Sequence, residues 1–137
     1  MSHPTASDLA AVPLFAGMSE QVRSALADRF DVKSHRAGER AVTEGNSGYA
    51  FYVVHEGTLS VSRAGKAVRQ LGPGDFFGEI SIIGDGRHTA TVTADGPALL
   101  WVMFGTRFRE LQGDHPEAAI AVQAAMDARL AADELRG

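Results

Sequence analysis

The apolar and polar positions divide the chain into three stretches, and the first, up to about residue 30, has helical spacing. Ser7 precedes a helical run and is a predicted N-cap, Pro13 is expected to end this first run, and a second run begins after Ser19. The second run presents one apolar stripe, formed by Val22, Leu26 and Phe30. The pattern therefore predicts short N-terminal helices over about residues 5–30.

The second stretch, from about residue 31 to 104, consists of short runs rich in Val, Phe, Tyr, Ile and Thr that are separated by turns containing glycine. Short apolar runs with regular turn signals are typical of a compact antiparallel β-fold. The predicted strands include Tyr49 to His55, Thr58 to Arg63, Ala67 to Leu71, Thr89 to Ala94 and Leu99 to Met103.

The third stretch, about 105–135, returns to helical spacing. Phe108 and Leu111 share one short helix, and Pro116 suits the first turn of a last helix from Glu117 to about Leu135. One face of that helix holds Ala119, Gln123, Met126, Leu130 and Asp133, while Ile120, Ala124 and Leu135 widen its apolar side. This last helix is predicted to be Ala-rich and only partly amphipathic.

Length and composition limit the class of protein. A chain of 137 residues with 45% hydrophobic and 22% charged residues is expected to fold as one domain. Because it has no cysteine, disulfides and thiolate metal sites are excluded. A net charge of -4 with scattered basic residues argues against a nucleic-acid partner. With neither a signal-peptide pattern nor an 18-residue apolar run, we expect a cytoplasmic address and no membrane partner.

Candidate catalytic and metal-binding patterns are missing from the sequence. Ser, His and Asp residues occur without a nucleophile-elbow, P-loop or paired-carboxylate context, so no catalytic residue is predicted. Four dispersed histidines form no HxxxH or HExxH pair, and we expect neither a metal nor a cofactor: His3, His35, His55 and His115. An enzyme is the class that the sequence favours least.

The segment Gly72 to Val92 is the one that suggests ligand chemistry. Its pattern fits a strand, a short helix that starts at glycine, a loop and a second strand. The first N-H groups of a helix attract anions, so residues 78–81 predict an anion site, and Gly78 lets the backbone approach closely. Glu79 is suited to accept a hydrogen bond from a sugar hydroxyl, although a carboxylate that only stabilises the helix terminus is the alternative.

At these residues the chain resembles the cyclic-nucleotide-binding domain family, in a stand-alone bacterial-type version. The family's phosphate-binding cassette reads Phe-Gly-Glu-aliphatic-small-aliphatic-aliphatic, a loop, Arg, and then small-Ala-small-Val. The segments Phe77 to Ile83 and Thr89 to Val92 match it without a gap. Further similar segments are Val12 to Phe15, Ala37 to Glu39, Glu44-Gly45, Phe51 to Val54 with Gly57, and Leu71 to Asp75.

The resemblance implies a fold for most of the chain, from about residue 8 to 130. We expect a mainly β structure, a jelly-roll-like β-barrel or double-stranded β-roll, over about 31–104. Short N-terminal helices at about 5–30 precede it. The helices at about 105–135 follow it, and the last of them forms a lid.

The resemblance also implies roles for individual residues. Glu79 corresponds to the acceptor for the ribose 2'-hydroxyl, and backbone N-H groups near Ile80, Ser81 and Ala90 correspond to contacts of the cyclic phosphate. Thr89 stands where some relatives that respond to cGMP hold guanine, but relatives that respond to cAMP also accept threonine there. The implied lid contacts with the base are Met126, Arg129 and Leu130.

One departure from the family concerns the arginine that grips the phosphate, because His88 stands in its place and Arg87 lies one residue earlier. In an extended segment a shift of one residue points a side chain to the opposite face, so Arg87 is either a relocated contact or a solvated loop residue. Histidine offers one N-H and is only partly protonated near neutral pH. Losing a charged hydrogen bond costs roughly 1.5 to 3 kcal/mol, or about 10- to 150-fold in affinity.

These observations predict a non-catalytic sensor domain that binds a cyclic nucleotide, cAMP before cGMP, and signals by movement of the C-terminal helix. Its output then requires an effector protein or a homodimer formed through that helix. The main alternative is a nucleotide-independent interaction or dimerisation module whose cassette is degenerate at His88. A third hypothesis is that another small metabolite occupies the same pocket.

Overall fold

The computed structural model describes residues 4–43, 45, 50–78 and 90–135, and for residues 126 and 129–135 only the backbone. The described elements before the sheets are α1 (Ala6–Ala10), α2 (Pro13–Ala16) and α3 (Glu20–Ala27). The strands are β1 (Asp31–His35), β2 (Arg40–Val42), β3 (Ala50–Glu56), β4 (Leu59–Arg63), β5 (Lys66–Leu71), β6 (Phe76–Phe77), β7 (Thr91–Ala94) and β8 (Ala98–Phe104). Two helices follow them, α4 (Gly105–Asp114) and α5 (Pro116–Leu135).

For the N-terminal helices, the predicted cap of α1 is wrong and the role predicted for Pro13 is incomplete. The N-cap of α1 is Thr5 and not Ser7, because Thr5 and Asp8 form a reciprocal capping box with bonds of 3.1 and 2.9 Å. The first run ends before Pro13, as expected, but Pro13 also occupies the first turn of α2, where its missing N-H has no cost. Ser19, which precedes the second run, caps α3 and accepts a hydrogen bond from the N-H of Val22.

The described strands form two antiparallel sheets of four strands each. The strand order is β1-β8-β3-β6 in the first sheet and β2-β7-β4-β5 in the second. The expected mainly β fold with flanking helices is therefore confirmed. The sheets face each other as a roll, and the described strands do not close into a single barrel.

The central part of the first sheet, β3 and β8, is buried on both faces, and the side chains of β3 alternate between two hydrophobic clusters. Phe51 and Val53 pack toward the helices, whereas Tyr52 and Val54 point between the sheets. Two-sided burial explains the nearly continuous apolar sequences of β3 and β8. We call the cluster between the sheets the roll interior; it comprises Val42, Ala50, Tyr52, Val54, Leu59, Val61, Leu71, Phe77, Val92, Ala94, Ala98, Leu100 and Val102.

Four phenylalanines join the helices to the outer face of the first sheet. Phe15 and Phe30 contact Phe51 with ring centroids 6.4 and 5.9 Å apart, and Phe51 contacts Phe76 at 5.7 Å. Edge-to-face and tilted arrangements of this kind stabilise a core by about 0.5–1.5 kcal/mol per pair beyond burial. The aromatic contacts therefore fix the N-terminal helices against β3 and β6.

The C-terminal helices pack on the same side as α1–α3. Phe108 and Leu111 share one helix, α4, as predicted, and both are buried. Among the described side chains of α5, Ala118, Ala119 and Val122 are buried, whereas Ile120, which was predicted to widen the apolar side, is 69% exposed. The reason is that α5 packs on α2, α3 and α4 through the face that holds the three buried residues and turns Ile120 to solvent.

Polar contacts also tie α3 to α4. The guanidinium of Arg29 lies 2.9 Å from the carboxylate of Asp114, and Arg107 donates to the backbone oxygen of Asp28 at 2.9 Å. Within the part of the chain that the structure describes, no helix is long and apolar enough to cross a bilayer.

Candidate ligand-binding site

The turn that leads into the predicted cassette is fastened to β3 on both sides. The side chain of Asp75 accepts a hydrogen bond of 2.8 Å from the N-H of Gly72, which closes the turn on itself. The backbone of Val54 donates to Asp75 and accepts from Gly74, each at 2.8 Å. These hydrogen bonds fix the position of the start of the cassette relative to β3.

An aromatic pair supports the next step of the chain. Tyr52 of β3 and Phe77 of β6 are cross-strand partners whose rings stack with centroids 4.6 Å apart and planes inclined by 5°. Both are nearly fully buried, and burial raises the pKa of the Tyr52 phenol because the phenolate would lose its hydration. The stacked pair is part of the roll interior and lies directly before Gly78.

Gly78 occupies a position that a larger residue fits poorly. Its φ is +87°, and a Cβ at this position would lie 2.6 Å from the backbone oxygen of Ala50 and 3.0 Å from Cδ1 of Tyr52. Side chains disfavour such φ values, and the nearest obstacle is backbone that has little freedom to move. Gly78 therefore lies close to the backbone of β3, while its close approach to a bound anion stays a prediction.

The C-terminal end of the cassette leads into the second sheet. Ala90 is half-buried, packs against the roll interior and directly precedes β7. That strand lies between β2 and β4 in the second sheet, whereas Gly78 leaves β6 at the edge of the first. The structure thus brings both ends of the predicted site to the same cluster from opposite sheets.

The remaining predicted site residues fall into two groups. Glu79, Ile80, Ser81, Arg87, His88 and Thr89 lie outside the described residues. Met126, Arg129 and Leu130 lie within α5, but their side chains are outside the described part. Their roles stay predictions.

Tyr52 is the residue next to the predicted cassette that the sequence pattern does not single out. The segment Phe51 to Val54 carries part of the family resemblance, which by itself gives the tyrosine no role. The alternation of side chains along β3, together with the stacking partner Phe77, identifies it as the wall beside the cassette.

Other classes of site find little support among the described residues. Within that part of the chain, no group of three or more His, Asp or Glu side chains is placed to hold a metal ion. A separate groove of about 480 Å³ lies between α4 and α5, lined by Phe108, Gln112, Pro116, Ala119, Ile120, Gln123, Ala124 and Asp127. None of these residues belongs to the roll interior, so the groove is distinct from the predicted ligand site.

Comparison with known proteins identifies relatives along most of the chain. Residues 32–115 match the family described as the cyclic nucleotide-binding domain, and this match contains the whole segment from Gly72 to Val92. A cAMP-dependent protein kinase regulatory subunit of Yarrowia lipolytica is 32% identical over 104 residues, which are 74% of this chain and 28% of that subunit. The chain spans about a quarter of the length of the first curated relatives that it matches.

Solved structures show the same fold. The regulatory domain of Toxoplasma gondii PKA, crystallised with cAMP, is 26% identical with a TM-score of 0.78 over 92% of this chain and 48% of that one. The catabolite activator protein of Thermus thermophilus is 28% identical with a TM-score of 0.74 over 90% of this chain and 61% of that one. The cassette pattern, the two-sheet roll and the family match agree, and the chain belongs to the cyclic nucleotide-binding domain family.

Proposed function

We propose that this chain is a non-catalytic sensor domain that reversibly binds a cyclic nucleotide, cAMP before cGMP. The observation that carries the proposal is the placement of Gly78, whose φ of +87° and contact with the backbone of Ala50 suit the cassette of the family to which the chain belongs. The similarity to a regulatory domain crystallised with cAMP supports cAMP as the first ligand to test.

The proposed output is movement of α5. Buried Ala118, Ala119 and Val122 anchor the first half of the helix against the core. The second half contains Met126, Arg129 and Leu130, the proposed lid contacts with the base. A ligand that contacts the lid stabilises the closed arrangement by no more than its difference in affinity for the closed and open states.

Titration calorimetry with cAMP and cGMP at pH 6 and pH 8 tests the proposal. We expect binding at both values, with tighter binding at pH 6 because protonated His88 attracts the phosphate. The variant His88→Arg should restore a permanent, forked donor and strengthen binding at pH 8 by about 10- to 150-fold. If neither nucleotide binds with a dissociation constant below about 1 mM, which is about -4 kcal/mol, the proposal is wrong.

A second candidate is a nucleotide-independent interaction module that works through α5, as a homodimer or with an effector protein. The exposed Ile120, beside the groove between α4 and α5, favours this candidate. Sedimentation analysis of the wild type and of Ile120→Ser tests it. A dimer that the substitution dissociates, in a protein that binds neither nucleotide, would favour this module over the sensor.

We also propose that the chain folds as one cooperative domain, which a single unfolding transition measured by circular dichroism and by Trp101 fluorescence would support. Two separated transitions would contradict it.

A further inference from the structure

The register of the second sheet directs one arginine toward the roll interior. Three buried valines, Val42, Val92 and Val61, face one another in a single row across β2, β7 and β4. The next position in that row, on the edge strand β5, is Arg69, which pairs directly with Val61. Because directly paired residues share a face, the side chain of Arg69 leaves β5 on the same side as the three valines.

A bulge next to this pair supports a specific placement of Arg69. The register between β4 and β5 shifts between Val61 and Ser62, which leaves Val68 as the extra residue on β5. Bulges change the direction of neighbouring side chains and are common beside binding sites. Unlike the valines in its row, Arg69 is exposed, so the row opens to solvent at the edge of the sheet.

Arg69 lies on the strand that leads into the start of the cassette. The chain leaves β5 at Leu71, turns over residues 72–75 and continues as β6 into Gly78. Leu71 and Phe77, at the two sides of this turn, both belong to the roll interior. Arg69 lies two residues before Leu71 and shares its face, so its side chain leaves β5 on the side of the roll interior, whose members Ala50 and Tyr52 also lie next to Gly78.

The other end of the cassette is also near. Arg69 lies two strands from β7, which is on the order of 10 Å along the hydrogen-bonding direction, and Ala90 directly precedes β7. Because the arginine side chain is long, its guanidinium can lie closer to β7 than the backbone of β5 does. An anion held between Gly78 and Ala90 would therefore meet a cation from β5.

The strands of the second sheet carry basic side chains and no acidic ones, and the two faces of the sheet share them. Its four strands, all within the described residues, carry Arg40, Arg63, Lys66 and Arg69 and no carboxylate, in a chain with a net charge of -4. Arg40 pairs with Thr93 on the outer face of the sheet, away from the roll interior. It therefore provides a matched control with the same charge on the same sheet but the opposite face.

We propose that Arg69 is a ligand contact outside the cassette, and that its guanidinium donates hydrogen bonds to the phosphate of a cyclic nucleotide bound between Gly78 and Ala90. This inference rests on the proposed function and deepens it, because Arg69 supplies the permanently charged donor that His88 does not. The chemistry it recognises is a phosphodiester monoanion.

The test compares Arg69→Gln and Arg40→Gln with the wild type by calorimetric titration of cAMP at pH 8, where histidine contributes little charge. We expect Arg69→Gln to weaken binding by about 10- to 150-fold, the range for a hydrogen bond to a charged group, and Arg40→Gln to change it by less than about twofold. Arg69→Lys keeps the positive charge but loses the forked N-H donors of the guanidinium. Its affinity for cAMP is therefore expected to lie between those of the wild type and Arg69→Gln.

A neutral probe separates contact with the phosphate from a structural role. Adenosine lacks the phosphate, so its binding should be the same in the wild type and in Arg69→Gln, whereas a disturbed pocket would weaken both ligands. Equal loss for adenosine and cAMP, or unchanged cAMP binding by Arg69→Gln, overturns the inference and leaves the proposed function standing. If the wild type binds no cyclic nucleotide, the proposed function and this inference both fail.

Discussion

Replacing Gly78 with alanine tests whether the start of the cassette is fixed by its contact with β3. The substitution adds a single methyl group at a φ of +87°. That methyl carbon would lie 2.6 Å from the backbone oxygen of Ala50, well inside the 3.4–4 Å of ordinary contact. Either the backbone at Ala50 or the path of the chain at Gly78 must shift.

The loss of stability expected for Gly78→Ala has two parts, and the variant Gly38→Ala measures one of them alone. A non-glycine residue in a left-handed conformation costs about 1–2 kcal/mol. Crowding a packed site by one carbon costs about 1–3 kcal/mol more. Gly38 has a nearly identical φ of +86°, but a Cβ there would have no atom within 4 Å. Gly38→Ala therefore carries only the conformational part, and we expect Gly78→Ala to be less stable than Gly38→Ala by about 1–3 kcal/mol.

The assay is urea denaturation of both variants and the wild type, followed by circular dichroism, with cAMP titration of each folded protein. If the chain relieves the clash by moving at Gly78 rather than by straining β3, the unfolding difference becomes small and the loss appears in cAMP affinity instead. Equal stability of the two variants, together with equal cAMP affinity, would refute the steric role of Gly78.

Two further predictions concern stability. Burial lowers the pKa of His35, while nearby Glu39 opposes and Lys33 assists the shift. His35 therefore binds a proton more readily in the unfolded chain than in the folded one. The stabilisation that neutral His35 gives the folded state is present above pH 6.5 and is lost as the pH falls through 6.5 toward the folded pKa. His35→Gln should flatten the fall in unfolding free energy between pH 7 and pH 5, and an unchanged slope would contradict the assignment. In α5, Val122→Ala should cost about 1.5–3 kcal/mol because the side chain is buried, whereas Ile120→Ser should stay within about 0.5 kcal/mol, as urea denaturation can measure.

The sequence predicted the elements that have strong local signals. The helix that begins after Ser19 is predicted because its apolar residues recur at helical spacing, and β4 is predicted because its short apolar run is bounded by turns. The strand before Gly78, β6, is also predicted, whereas β1 and β2 are not, since they are short or polar and form only by pairing with distant strands. The distinction between Thr5 and Ser7 also depended on geometry, because either hydroxyl suits a cap and only Thr5 is placed to exchange bonds with Asp8.

For the candidate site, the sequence by itself determined the family and the cassette, because these are properties of residue types at fixed spacing along the chain. The tertiary structure alone decided that Gly78 meets the backbone of Ala50, that Tyr52 stacks on Phe77, and that Arg69 shares a row with buried valines. It also turned Ile120 outward from a helix whose own pattern made it apolar. Each of these contacts depends on which strand or helix packs against the residue. The choice of packing partner results from the burial of apolar surface over the whole chain, so it cannot be predicted from a local sequence pattern.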